Sequence, residues 1–187
     1  ARVIIEQARR LGLMVEQVVT AVRIDDRQLD LVLTPVRVDN LLADVIADVR
    51  QRSQRDIKLD DQLESTIIPA DALYLRQSLG NLIDNAVKFS PANTPVEVTL
   101  RSAPIPDRVE IAVTDHGIGI AETDRPILFT QFGRVYNGRT RGISGSGLGL
   151  YIARYVVEQH HGVITVHSQE GQGATFVVTL PVETNLA

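Results

Sequence analysis

One stretch limits the fold more than any other, the segment LRQSLGNLIDNAVKFS from Leu75 to Ser90. Leu75, Leu79, Leu82 and Ala86 recur at helical spacing and make an apolar stripe that must be buried. Asn81, Asn85 and Lys88 stand at i, i+4 and i+7, so they share a neighbouring face. Two carboxamides and an ammonium are costly to bury without partners. The helix therefore lies with one face on a core and the next face open to water or to a ligand. An Asn carbonyl can coordinate a hard cation such as Mg²⁺. A Lys can meet phosphate oxygens directly. A solvated polar face is the other reading of the same three residues.

Around this helix the chain alternates short strands and helices. LDLVLTPVRV from Leu29 reads as a short strand broken by Pro35. Asp39 is placed to cap a helix carrying Leu42, Val45, Ile46 and Val49. DIKLD and STII read as short strands. Asp71 stands ahead of the helix that runs to about Phe89. VEVTLR and RVEIAVTD follow as strands. Phe129 and Phe132, at i and i+3, read as hydrophobic anchors beside a polar loop over residues 135–146. A helix from Leu148 to His161 stops at Gly162, read as its C-terminal cap. Val163–Ser168 and Ala174–Leu180 close the chain as strands. There is no strict βαβ alternation. The expected class is α+β, a two-layer sandwich with a mixed sheet and helices on one face.

The first 28 residues differ. Ile4, Ala8, Leu11, Val15, Val18 and Val22 are spaced 4, 3, 4, 3, 4. That is a heptad seam, which calls for a partner helix. An ordinary amphipathic helix lying on its own domain is the alternative. The chain opens inside this helical pattern and is expected to be part of something longer.

Composition narrows the function. The net charge is −4 over 187 residues, with no basic excess to neutralise a nucleic-acid backbone. There are no cysteines, which excludes disulfides and thiolate metal sites. No apolar run approaches the ~20 residues of a membrane span. A cytoplasmic location without membrane contact is expected for this segment, whether or not a larger parent carries an anchor.

Two glycine-bearing turns add chemistry. DHGIGI follows directly on a strand, with Asp115 at the strand end and Gly117 and Gly119 opening the turn. A carboxylate there can accept from an exocyclic amine such as that of adenine. A plain turn gives the same letters. GSGLGL precedes a helix, and Gly145, Gly147 and Gly149 let backbone N–H groups point at an anion near the helix start. It is not a P-loop, because no Gly-Lys-Ser/Thr follows. It is not a dinucleotide fingerprint, because no strand leads into it.

Taken in order, these blocks resemble the catalytic domain of sensor histidine kinases. NLIDNAVKFS resembles the N box, DHGIGI the first glycine box, LFTQFGR the F box and GSGLGL the second glycine box. EGQGATF resembles the last glycine element. The match covers about residues 75–180. RLGLMVEQVVTAVRIDD also resembles the second helix of the family's dimerisation and phosphoacceptor hairpin.

The resemblance implies a Bergerat-type ATP-binding fold over 29–187, preceded by one long helix over 1–28 that belongs to the hairpin. It implies ATP and Mg²⁺ as cofactors, with Asn85 as the metal ligand and Asn81 near the phosphates. Lys88 is implied to contact phosphate and Phe89 to lie beside the purine. Asp115 accepts from the adenine amino group in a pocket shaped by Gly117, Gly119 and Ile120. Arg134 reaches the γ-phosphate and stabilises charge during transfer. Gly145, Ser146, Gly147, Leu148 and Gly149 line the lid and the phosphate side. The implied partners are the protein's own phosphoacceptor helix, a response-regulator receiver domain and a second copy in a full-length homodimer. For this segment alone, a monomer or weak association is expected.

The four histidines are His116, His160, His161 and His167. None lies in the N-terminal helix or in an acceptor motif, so all read as structural. His160 and His161 sit at a helix end, where they suit the dipole. The acceptor is expected to lie outside this chain, which should bind ATP without efficient autophosphorylation. Related ATPases such as gyrase and MutL carry a Glu where Asn81 stands. A carboxamide cannot take a proton near neutral pH, which favours a kinase over an ATPase. A degenerate module that binds partners without nucleotide is a second alternative.

Overall fold

The computed structural model describes residues 2–63, 65–135, 140, 143 and 145–182, with the side chains of 2–7, 9 and 10 outside that description. Helix α1 spans Arg2–Asp25. Strand β1 (Thr34–Arg37), helix α2 (Val38–Ser53) and strands β2 (Ile57–Asp61) and β3 (Ile67–Ala70) follow. Helix α3 spans Ala72–Phe89 and leads into β4 (Val96–Ser102) and β5 (Arg108–Asp115). After a 3₁₀ turn at Glu122–Ile127 come α4 (Gly149–Gln159), β6 (Val163–Ser168) and β7 (Ala174–Pro181).

The main sheet has the order β2-β4-β5-β7-β6. The β2–β4 pair is parallel and the other pairs are antiparallel, so the sheet is mixed. A smaller antiparallel pair, β1 with β3, stands apart. Burial alternates residue by residue along β4 and β7, as a sheet with one covered face requires. Val98, Ile111, Val113, Phe176 and Val178 point to the covered face. Leu42, Ile46, Leu75, Leu79, Leu82, Ala153 and Val157 of α2, α3 and α4 meet them there. Fully burying one such Leu or Ile contributes about 1.5–3 kcal/mol. The expected two-layer α+β sandwich is therefore the observed one.

Local details depart from expectation in instructive places. Asp39 does not cap α2: Arg37 holds the cap position and Asp39 sits in the first turn. Arg37 Nε donates to Asp39 Oδ1 at 3.2 Å, which spends the carboxylate on a side chain. Pro35 does not break its strand, because β1 is half of an isolated two-stranded pair. At the end of α4 the left-handed residue is His161, with φ 56°, and not Gly162. Gly162 is needed for space, since a Cβ there would lie 2.6 Å from the Thr179 carbonyl oxygen.

The heptad stripe on α1 faces away from the domain. Leu11, Val15, Val18 and Val22 are all exposed, and Ala8 with them. Ile4 lies outside the described side chains. Of the loop over 135–146, residues 136–139, 141, 142 and 144 lie outside the described residues. Phe129 is an anchor as expected, packed edge-on against Phe176 with ring centroids 6.3 Å apart. Phe132 is not, being 60% exposed.

Candidate functional site

Asp71 starts the site by starting α3. Its Oδ1 accepts from the backbone N–H groups of Leu73 and Tyr74, at 3.1 and 3.2 Å. That cap satisfies donors the helix cannot satisfy itself. Leu75, Leu79, Leu82 and Ile83 then fix the helix on the sheet. This holds Asn81, Asn85 and Lys88 toward a large open cavity of about 1420 Å³. Phe89 lines the same cavity at the helix end.

The turn after β5 forms the floor. Asp115 is 5% exposed, and its Oδ1 accepts the Gly117 N–H at 2.8 Å. Burial pushes its carboxyl above the usual range, while the Gly117 and Ala174 amides pull the other way. Gly117 allows a close approach: a Cβ there would sit 2.3 Å from the Phe89 carbonyl oxygen. The turn is therefore pressed against the end of α3. Gly119 and Ile120 line the cavity. The Ile120 N–H donates to Ser168 Oγ at 2.9 Å, and that hydroxyl donates to the Gly173 carbonyl at 2.6 Å. Ser168 thus ties the turn to the loop between β6 and β7.

The opposite wall is the glycine loop and the start of α4. Gly145, Ser146, Gly147 and Gly149 all line the cavity. Gly147 has φ +74°, and a Cβ on it would lie 2.7 Å from the Phe132 backbone. The N-cap residue of α4, Leu148, makes no side-chain cap bond, which suits the first N–H groups of the helix to meet an anion. Asn81 Nδ2 donates to the Gly149 carbonyl at 3.4 Å, joining this wall to α3. Arg134 also lines the cavity, and its Nη2 donates to the Ile143 carbonyl at 2.8 Å.

Most residues picked out by motif meet in this one cavity, with two exceptions. Leu148 is 0% exposed and turns into a separate apolar cluster with Ala21, Ile24, Ile152 and Val156. Gly117 lies beneath the surface and acts through Asp115 and Phe89. Two residues that no motif marked belong to the site. One is Ser168. The other is Gln17 of α1, which reaches Asn81 and Ser146. Neither sits in a recognisable local pattern, because what matters is a partner far along the chain.

A divalent cation fits the donor set only with its ligand's help. No group of three or more acidic or histidine side chains is placed to hold a metal among the described residues. Asn85 lines the cavity through a carboxamide, and Asp84 beside it is paired with Arg52 at 3.4 Å. One neutral protein oxygen suits Mg²⁺ that keeps waters and bound phosphates as its other ligands.

A two-layer sandwich whose helices and glycine turns enclose such a cavity defines the Bergerat type of ATP-binding domain. The profile of the family described as "Histidine kinase-, DNA gyrase B-, and HSP90-like ATPase" matches residues 70–184. The sensor-like histidine kinase SenX3 of Mycobacterium tuberculosis is 34% identical over 183 residues, 97% of this chain and 44% of SenX3. The sensor protein kinase WalK of Staphylococcus aureus is 40% identical over 109 residues, 58% of this chain and 26% of WalK. Full-length ShkA, solved with AMPPNP, aligns with a TM-score of 0.80 at 30% identity, covering 97% of this chain and 38% of ShkA. The mycobacterial sensor histidine kinase MprB aligns at 0.69 and 30% identity, covering 81% of this chain and 98% of MprB. The chain belongs to this family, as an ATP-binding catalytic domain of the histidine kinase kind. It spans less than half the length of SenX3 and WalK.

Proposed function

We propose that this chain binds ATP with Mg²⁺ and presents the γ-phosphoryl group to a histidine on a dimerisation helix, for relay to a response-regulator aspartate. The observation that carries the proposal is the gathering of Asn81, Asn85, Lys88, Phe89, Asp115 and the 145–149 loop around one cavity. Asp115 accepts from the adenine amino group, and Phe89 lies beside the ring. Asn85 holds the metal, which neutralises phosphate charge when bound. Lys88 and the first N–H groups of α4 meet the phosphates. Arg134 stabilises charge as the phosphoryl group leaves. Asn81 is a carboxamide where water-activating relatives carry an acid, so transfer is favoured over hydrolysis.

Residues 1–28 are proposed as the second helix of the dimerisation hairpin. The exposed stripe Leu11, Val15, Val18 and Val22 supports this, since an apolar seam of that period seeks another helix. In the full-length protein that contact makes a homodimer. None of the histidines lies on α1. The isolated chain is therefore proposed to bind ATP without phosphorylating itself. No helix among the described residues is long and apolar enough to cross a membrane. A cytoplasmic position for this domain is part of the proposal.

Calorimetric titration with ATP, with and without Mg²⁺ and with GTP as control, tests the reading. Magnesium-dependent binding that prefers ATP supports it. Absence of binding at millimolar ATP, or equal binding of GTP, overturns it.

A further inference from the structure

Helix α1 has a second face that the heptad stripe does not explain. One residue before each of Val15, Val18 and Val22 stand Met14, Gln17 and Ala21, about 100° round the helix. This face continues to Ile24 and points at the catalytic layer. Ala21 and Ile24 are buried against Leu148, Ile152 and Val156. Two polar contacts flank that apolar patch. At one end, Asp25 accepts from the Tyr151 hydroxyl at 2.7 Å and from Gln131 Nε2 at 2.9 Å. At the other, Gln17 Nε2 donates to Asn81 Oδ1 at 3.3 Å, and Gln17 Oε1 accepts from Ser146 Oγ at 2.7 Å.

The second end matters because Asn81, Ser146 and Gln17 all line the nucleotide cavity. A serine hydroxyl has one hydrogen to give. Here it goes to Gln17, while the oxygen accepts the Leu148 N–H at 3.2 Å. Ser146 cannot donate to a phosphate oxygen and to Gln17 at once. Asn81 is held likewise, its oxygen by Gln17 and its amino group by the Gly149 carbonyl. The glutamine thus takes the one hydroxyl proton that Ser146 could give a phosphate oxygen, and it fixes Asn81 beside it through the carboxamide oxygen.

We propose that Gln17 is a latch that competes with the nucleotide: docking of α1 on the catalytic layer and occupancy of the phosphate side weaken each other. The proposal rests on the reading of Asn81 and Ser146 as phosphate-side residues. Linkage makes the effect reciprocal. Mg·ATP loosens the second half of α1, and loosening α1 tightens Mg·ATP. Asp25 lies outside the cavity lining, yet its contacts hold the same docked helix. Its removal should act in the same direction as removal of Gln17.

The test is titration of the 187-residue chain, as wild type, Gln17→Ala and Asp25→Ala, with Mg·ATP, alongside hydrogen exchange of α1. Both substitutions lie on a half-exposed or exposed helix surface and replace a residue with a better helix former, so the fold is retained. Each variant should bind Mg·ATP about fivefold more tightly, the factor one ordinary hydrogen bond is worth. In wild type, Mg·ATP should speed exchange across residues 17–25. Unchanged or weaker binding by Gln17→Ala, or exchange that ignores nucleotide, overturns the latch while leaving ATP binding standing. Tightening in Gln17→Ala but not in Asp25→Ala overturns the coupling to helix docking. A wild-type chain that binds no Mg·ATP overturns the nucleotide reading and the latch together.

Discussion

His160 Nε2 accepts the backbone N–H of Asp71 at 2.9 Å, across 89 residues of chain. Its Nδ1 lies 2.7 Å from the Val156 carbonyl, so the proton sits on Nδ1 and the ring is neutral. This joins the end of α4 to the start of α3, the two helices that wall the cavity. The ring is structural, as the sequence reading has it, and its role runs through a neutral imidazole that accepts a distant backbone N–H. Burial pushes His160 below its ordinary 6.5, against a smaller upward pull from Val156 and Asp71, while His161 pushes further down. The unfolded chain therefore takes up a proton that the folded chain resists. The stability that the neutral ring contributes is fully present above about pH 6.5 and is lost as pH falls below it. Denaturant titration at about pH 7.5 and 5.5 should show lower stability at the more acidic value. His160→Gln should flatten that difference, and a variant as steep as wild type removes the histidine from the account.

Asn85→Ala tests the metal reading. The alanine keeps the helix and removes the one carboxamide oxygen proposed for Mg²⁺. ATP affinity measured with magnesium should fall at least tenfold, roughly 1.4 kcal/mol. Affinity without magnesium should stay near the wild-type value. Equal losses in both titrations would point to a role in holding the ligand itself.

Asp115→Asn tests base selection. A carboxylate only accepts, whereas an amide presents a donor or an acceptor according to which way it turns. The Gly117 N–H anchors one oxygen in either case, so the turn should survive. The cost to ATP binding should be about 1–3 kcal/mol. Competition titrations should also show a narrower preference for ATP over GTP. If affinity and preference both survive, the pocket is not where adenine sits.

What was legible in the sequence was what is local in the fold. Leu75, Leu79 and Leu82 repeat with the period of a helix, and Val96, Val98 and Leu100 with that of a strand, so these elements could be read without knowing their neighbours. Asp71, which stands directly ahead of α3 in the sequence, caps it with bonds to Leu73 and Tyr74, and such a cap needs only the next few residues. Asp39 failed as a cap because Arg37, two residues earlier, took its carboxylate. Gly162 was misread for a related reason. Its value lies in a close approach to Thr179 on β7, which spacing within α4 does not reveal. Gln17 and Ser168 were missed, and the partner of the structural His160 went unread, for one cause. Their partners lie 64 and 129 residues away for Gln17, 48 for Ser168 and 89 for His160. Motif order located the cavity but was silent on which side chains span it.

Gly147 gives the last prediction, with Gly145 as its control. Gly147 sits at φ +74°, where an L-residue costs about 1–2 kcal/mol, and its added methyl would meet the Phe132 backbone at 2.7 Å. Phe132 is itself in the left-handed region, at φ 57°, so it has little room to give. Among the described residues, Gly145 has nothing within 4 Å of an added Cβ. Gly147→Ala should therefore push the loop away from the F-box segment and move Ser146 and the first N–H groups of α4. Leu148, Ile152 and Val156 keep α4 anchored, so the melting temperature should drop by only a few degrees for a cost of about 1–2 kcal/mol. ATP affinity should fall about tenfold or more, because the loss falls on the phosphate-side geometry. Gly145→Ala should leave both quantities close to wild type. Parallel calorimetry and thermal melts on the two variants separate the cases. If Gly145→Ala weakens ATP binding as much as Gly147→Ala, the loop acts through its overall freedom and not through the one left-handed position that holds it against Phe132.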